Sequence, residues 1–256
     1  MPSGAIAMCQ ICDLTNQTPH TTAVRASRRQ VLGAGVAAFA ALAMASGHRP
    51  AFAADGAPTS LNAAQALDKL QSGNAKYVSA PQVCAADLAK ARAGVAKHQA
   101  PWASILSCAD SRVAPELLFG GTAPGELFVA RNAGNQTDTN TLGTLEYGAA
   151  ALGVPLIVVL GHERCGAVVA ACDMVSKGKT YPGSIGPMVQ AIAPAAKAVA
   201  GQPGDFIENA IKENARQNAA RIVQQSPIIA DLVKQGKVRI VAARYDLDDG
   251  KVEFLG

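Results

Sequence analysis

The rhythm of apolar and polar positions changes part-way along the chain. Over 61–78, Leu61, Ala64, Leu67 and Leu70 recur at helical spacing behind Ser60, a residue suited to cap a helix N-terminus, so a helix is predicted there. Residues 87–99 carry a second, shorter helical pattern. From residue 102 the pattern becomes short apolar runs at 102–107, 126–131, 155–161 and 237–246, each bounded by Gly, Pro or polar clusters in the manner of buried strands. Helical stretches at 139–153, 165–178 and 205–225 lie between them. In the last of these, Ile207, Ile211, Ala215, Ala219 and Ile222 form an apolar stripe, while Glu208, Lys212, Glu213 and Arg216 occupy other faces. Strands that are apolar along their whole length and alternate with helices predict an α/β domain around a mainly parallel sheet flanked by helices. Near the C-terminus, Asp249-Gly250 predicts a hairpin turn and hence an antiparallel pair at one edge.

One apolar run fits neither pattern. Val31 to Ser46 follows the paired Arg28-Arg29 and is shorter than the roughly 18 to 20 residues a spanning helix needs. The segment looks like a twin-arginine export signal: Ser27-Arg28-Arg29-Gln30-Val31-Leu32 fits the pattern, and Ala51-Phe52-Ala53 supplies a small-x-small cleavage site. Ala43-Met44-Ala45, inside the apolar run, is the weaker alternative. Residues 1–53 are therefore expected to be a removed signal peptide and 54–256 the working domain, carried by the twin-arginine translocase to the periplasm or beyond.

This division changes the meaning of the charge. The formal net charge is +4, but Arg25, Arg28, Arg29 and Arg49 against Asp13 give residues 1–53 a net +3, leaving +1 for 54–256. The basicity belongs to the signal, and nothing here argues for nucleic acid as a partner. The chain is 49% hydrophobic but only 4% aromatic, so its core must be built from Ala, Val, Leu and Ile.

Six cysteines need sorting. Cys9 and Cys12 form a C-x-x-C ahead of the twin arginine and would be lost with the signal. The other four, Cys84, Cys108, Cys165 and Cys172, would ordinarily be read as two disulfides in an exported protein. Two of them stand in polar clusters just after buried runs: Cys108-Ala109-Asp110-Ser111-Arg112 and His162-Glu163-Arg164-Cys165-Gly166. In open α/β sheets, ligands bind at the carboxyl ends of strands, so adjacent strands would bring both clusters into one crevice. Two thiolates and an imidazole suit Zn²⁺, and three protein ligands leave a position for water, as catalytic sites do. Asp110, which Arg112 could hold as a carboxylate, is the candidate fourth ligand. For Cys84 and Cys172 a disulfide, a buried thiol pair and unrelated thiols all remain open.

Those residues resemble the β-class carbonic anhydrases. SCADSRVAPELLF, PGELFVARNAGN, LEYGAAALGVPLIVVLGHERCGAV and YDLDDGKVEFL are similar to the family's C-x-D-S-R segment, its next strand, its helix-strand-H-x-x-C unit and its closing hairpin. The resemblance implies zinc, one per chain, on Cys108, His162 and Cys165, with Asp110 and Arg112 as the catalytic dyad. It implies reversible hydration of CO₂ to bicarbonate and a proton by zinc-bound hydroxide, and self-association as a dimer or tetramer with sites near the subunit interface. In some members the aspartate moves onto the zinc as a fourth ligand in a closed, inactive form. Gln99, Phe128, Ala133, Tyr147 and Gly166 match substrate-pocket positions of the plant-like branch, although Ala133 is small where valine is usual. The allosteric branch has a tryptophan three residues before the first zinc cysteine; here Ile105 stands there, so no non-catalytic bicarbonate site is expected. Two other functions fit the same ligands: a CS₂ or COS hydrolase on this scaffold, and a zinc-binding protein without catalysis. Metal loading before twin-arginine export, which carries folded proteins, would also keep Cys108 and Cys165 from oxidising to a disulfide.

Overall fold

β1 (Ala103–Cys108) and β3 (Leu156–His162) are buried at every residue, which explains why their sequences show no alternation. They are the centre of a five-stranded sheet of order β2-β1-β3-β4-β5, with β2 (Leu127–Asn132) at one edge and β4 (Arg239–Tyr245) beside β3. These four strands are parallel. β5 (Val252–Leu255) closes the other edge antiparallel to β4, Tyr245 opposite Val252. The computed structural model describes residues 58–80 and 88–255; the expected signal peptide, Cys9, Cys12 and Cys84 lie outside them.

The two faces of the sheet are filled separately, as a period of two requires. On one, Ile105, Val158 and Leu160 pack with Ala66 and Leu70 of α1 (Ala63–Ser79), with Leu118 of the short α3 (Pro115–Leu118) and with Trp102 and Phe119. On the other, Leu106, Ile157 and Val159 pack with Leu145 of α4 (Thr139–Ala150) and with Ala215 and Ile222 of α7 (Phe206–Gln225). A third cluster joins Val168 and Ala171 of α5 (Gly166–Lys177), Val189 and Ile192 of α6 (Ile185–Ala198), and Ile211 to Cys108 and Cys165. One aromatic residue has a clear structural role: Trp102 Nε1 donates to Glu126 Oε1 at 3.3 Å, and Lys69 Nζ lies 4.4 Å over its ring.

Several expectations need correcting. The first helix is capped by Asn62, not Ser60. Asn62 Oδ1 accepts from the Gln65 amide and Gln65 Oε1 from the Asn62 amide, both at 2.9 Å, a reciprocal cap that Ser60 lies too early to make. The second, α2 (Leu88–Val95), stops four residues short of Gln99. α6 and α8 (Pro227–Lys234) escape a periodicity reading because prolines punctuate them. Pro227 and Pro187 fall in first turns, where a missing N–H costs little, and only Pro194 is interior. Along α7, Ile211, Ala215 and Ile222 are buried as expected, but so are Asn214 and Asn218. The final hairpin turns through 246–251 rather than a tight pair. Gly250 takes the left-handed φ of 77°, while the Asp246 carboxylate accepts from the amides of Asp248 and Asp249.

Candidate metal centre

The sheet order decides where chemistry can occur. From β1 the chain crosses to β2 on one side, and from β3 to β4 on the other, so connections diverge between the carboxyl ends of β1 and β3 and leave a crevice there. Cys108 is the last residue of β1, His162 the last of β3, and Cys165 the N-cap of α5. The turn from His162 to Cys165 is tight: Arg164 sits at φ 52°, and its guanidinium is held by Asp248 at 2.6 Å. Glu163 is no loose surface charge, since its carboxylate accepts from the Leu247 amide at 3.1 Å and lies beside Arg164 and Arg244.

His162, Cys108 and Cys165 are all buried, and their ligand atoms lie within 4.8 Å of one another. Three observations test whether a metal fits. The sulfurs are 3.9 Å apart, far from a disulfide's ~2.05 Å and close to the ~3.8 Å edge of a tetrahedron with Zn–S bonds of about 2.3 Å. His162 Nδ1 lies 2.9 Å from the Glu163 carbonyl, which fixes the proton there and leaves Nε2 as an acceptor. Nε2 itself is buried with no hydrogen-bond partner. The thiols add a fourth point: the hydrogen bond between Cys165 and Cys108 favours a single thiolate, lowering the Cys108 thiol and driving Cys165 well above the ordinary range, because a second thiolate so close is unfavourable. A dication stabilises both thiolates, so the donor set fits zinc.

Beside the ligands stands an ion pair. Arg112 donates from Nε to Asp110 Oδ1 at 2.9 Å and from Nη2 to Oδ2 at 2.7 Å, and its amide donates to Oδ1 at 3.0 Å. These bonds hold the Asp110 carboxyl far below the usual carboxylate range. Oδ2 lies 3.8 Å from His162 Nε2, while Asp110 remains outside the three-ligand cluster. Arg131, to which the motif reading gave no role, donates to the Cys108 and Asp110 carbonyls at 2.9 and 2.7 Å and so holds the backbone of the CADSR turn.

The predicted pocket residues divide. Gly166 opens α5 next to Cys165 with open space where a Cβ would stand, and half-buried Ala133 precedes the loop against Cys108. Phe128 and Tyr147 come together, ring centroids 6.1 Å apart, but Phe128 is opposite Ser104, four residues before Cys108. At ~3.3 Å per strand residue, that is about 13 Å from the carboxyl edge. Gln99 is exposed and precedes β1 on the amino side. Within one chain, then, Gln99, Phe128 and Tyr147 do not reach the metal ligands.

Cys172 is a free, buried thiol pushed up to about 11, chiefly by burial. At pH 8 only about one molecule in a thousand would carry the thiolate there. Iodoacetamide at that pH should leave Cys172 unmodified in the folded protein and label it after denaturation. Rapid labelling of the folded form, read by mass spectrometry, would contradict this.

Fold and site together define an α/β protein with a buried Cys–His–Cys group that could hold a metal at the switch point of its sheet. The sequence profile of the carbonic anhydrase family matches residues 103–252. Carbonic anhydrase 2 of Mycobacterium tuberculosis is 35% identical over 190 residues, 74% of this chain and 91% of that protein. A carbonic anhydrase of Mycolicibacterium smegmatis is 33% identical over 193 residues, covering 75% and 93%. Among solved structures, the Coccomyxa β-carbonic anhydrase in complex with acetazolamide superposes with a TM-score of 0.59 at 29% identity, over 74% of this chain and 86% of that one. This chain belongs to the β-carbonic anhydrase family.

Proposed function

We propose that the protein is a zinc-dependent carbonic anhydrase, interconverting carbon dioxide and bicarbonate with release or uptake of a proton. The carrying observation is the buried, unpartnered Nε2 of His162 between two thiols, with an Arg112-locked carboxylate 3.8 Å away. Bound by Cys108, His162 and Cys165, zinc would supply the Lewis acidity that makes hydroxide available from water near neutral pH. The chain supplies direction. Asp110, kept ionised by Arg112, can only accept a hydrogen bond, so it orients an attacking oxygen by holding that oxygen's proton at Oδ2. Arg131 fixes the turn that carries Asp110.

The decisive experiment measures zinc per chain and CO₂ hydration by stopped flow near pH 8.5, with CS₂ and COS offered in parallel. About one zinc with fast CO₂ hydration supports the assignment. Zinc with turnover of CS₂ or COS alone, or with no turnover, would replace it with the hydrolase or the storage reading.

Self-association belongs to the same proposal. β2 is an edge strand whose Leu127, Phe128, Val129 and Ala130 are only half-buried, and exposed Tyr147 adjoins Phe128. We assign this apolar edge to a subunit interface, with Gln99, Phe128 and Tyr147 lining the partner's site in the manner of the plant-like branch. Residues 1–53 we assign to twin-arginine export, with the zinc domain folded before transport. Replacing Arg28 and Arg29 together by lysine should retain the precursor in the cytoplasm, whereas the native chain should yield a periplasmic form beginning at Ala54. A periplasmic double variant would refute that assignment.

A further inference from the structure

Away from the motifs, a buried amide network ties α7 to the metal centre. The Gly134 amide donates to Cys108 Sγ at 3.4 Å. Gly134 is locked in place: at φ 80° it occupies a backbone region side chains rarely adopt, and a Cβ there would come within 2.6 Å of Ile192 Cδ1. Its carbonyl accepts from two buried side-chain amides, Gln136 Nε2 at 2.8 Å and Asn214 Nδ2 at 2.9 Å. These two also bond each other, Gln136 Nε2 donating to Asn214 Oδ1 at 3.0 Å. One turn on, Asn218 accepts from the Thr137 amide at 2.8 Å and donates to the Asn214 carbonyl at 2.9 Å.

Asn214 is 2% exposed on a helix face that it shares with Ile211, Ala215, Asn218 and Ile222. Burying an amide there is unfavourable unless it is bonded. Its Nδ2 bond reaches Gly134, whose N–H points at a ligand sulfur. An N–H donated to a thiolate withdraws charge from it, and outer contacts that fix such donors govern how well a metal is held.

We propose that Asn214 is a positioning residue of the metal centre: with Gln136 it clamps the Gly134 carbonyl so that the Gly134 N–H stays directed at the Cys108 thiolate. This deepens the zinc reading and rests on it. Asn218 serves as the comparison: it is equally buried in the same network and donates to Asn214 Oδ1 at 3.1 Å, but it makes no bond to the Gly134 carbonyl.

The test uses the full chain with Asn214→Leu, Gln136→Met and Asn218→Ala. Zinc affinity is measured by competition with a chromophoric chelator, the sulfur-to-metal charge-transfer bands are recorded after cobalt substitution, and urea unfolding of the apo forms ranks stability. We expect Asn214→Leu and Gln136→Met to weaken zinc binding about tenfold or more and to shift the cobalt bands. Asn218→Ala, at similar loss of apo stability, keeps both donors to the Gly134 carbonyl and should change zinc affinity and spectra much less than either clamp variant. Native zinc affinity and spectra in both clamp variants, or equal losses in Asn218→Ala, would overturn the inference while leaving the zinc reading intact. Absence of zinc binding in the unaltered protein would instead overturn both. Should Asn214→Leu fail to fold, Gln136→Met alone decides, since it removes a donor from the same carbonyl.

Discussion

Asp110→Asn is expected to keep about one zinc per chain and to lose CO₂ hydration by a factor on the order of 10² or more. The substitution preserves size but reverses the chemistry at Oδ2, where an acceptor-only carboxylate becomes an amide that also donates. It also removes the charge that Arg112 grips through three hydrogen bonds, so the side chain loses its fixed orientation. Because Asp110 is outside the ligand cluster, zinc should remain. Arg112→Lys should show a milder form of the same defect, as an ammonium cannot reproduce the two parallel guanidinium bonds. Turnover by stopped flow beside metal content decides the matter. Hydration at the native rate in Asp110→Asn would remove the carboxylate from the reaction.

Equally large, but of a different kind, is the effect expected of His162→Ala. It leaves two sulfur ligands and an empty pocket, so bound zinc should fall to a small fraction of one per chain, and hydration should fall with it. The unaltered protein stripped with a chelator should behave likewise and recover when zinc is returned, which separates loss of metal from loss of fold. Zinc bound to the native state alone also stabilises it by mass action, so stripping should lower the Tm and His162→Ala should show no further drop with chelator. Retention of stoichiometric zinc in His162→Ala would mean that the metal is held elsewhere.

What the sequence made legible follows from what local pattern encodes. Short apolar runs announced β1 and β3, broken only by the buried Ser104 and Ser107, because a strand buried on both faces has no solvent-facing side to show. Cys108 and His162 were readable as strand-end residues because each directly follows such a run. Pattern of this kind records whether a residue is buried, not what it is buried against. The cap at Asn62 and the proline-marked helices α6 and α8 show the same limit at short range, since caps and first-turn prolines depend on backbone geometry that apolar spacing does not carry.

The tertiary structure decided the rest. Sheet order, set by how the helices pack on both faces, places β1 beside β3 and makes their ends one crevice. Register along β2 leaves Phe128 and Tyr147 well below that crevice, although the motif alone suggested one pocket. Nothing in the helical spacing of α7 singled out Asn214, because the carbonyl it serves belongs to Gly134, eighty positions away in the chain. By itself the sequence determined the ligand types, the alternating α/β architecture and the ends of the strands that carry them, all properties of neighbouring residues. Which ends meet, and what holds them at bonding distance, depended on contacts between distant segments that form only when the whole sheet and its helices pack together.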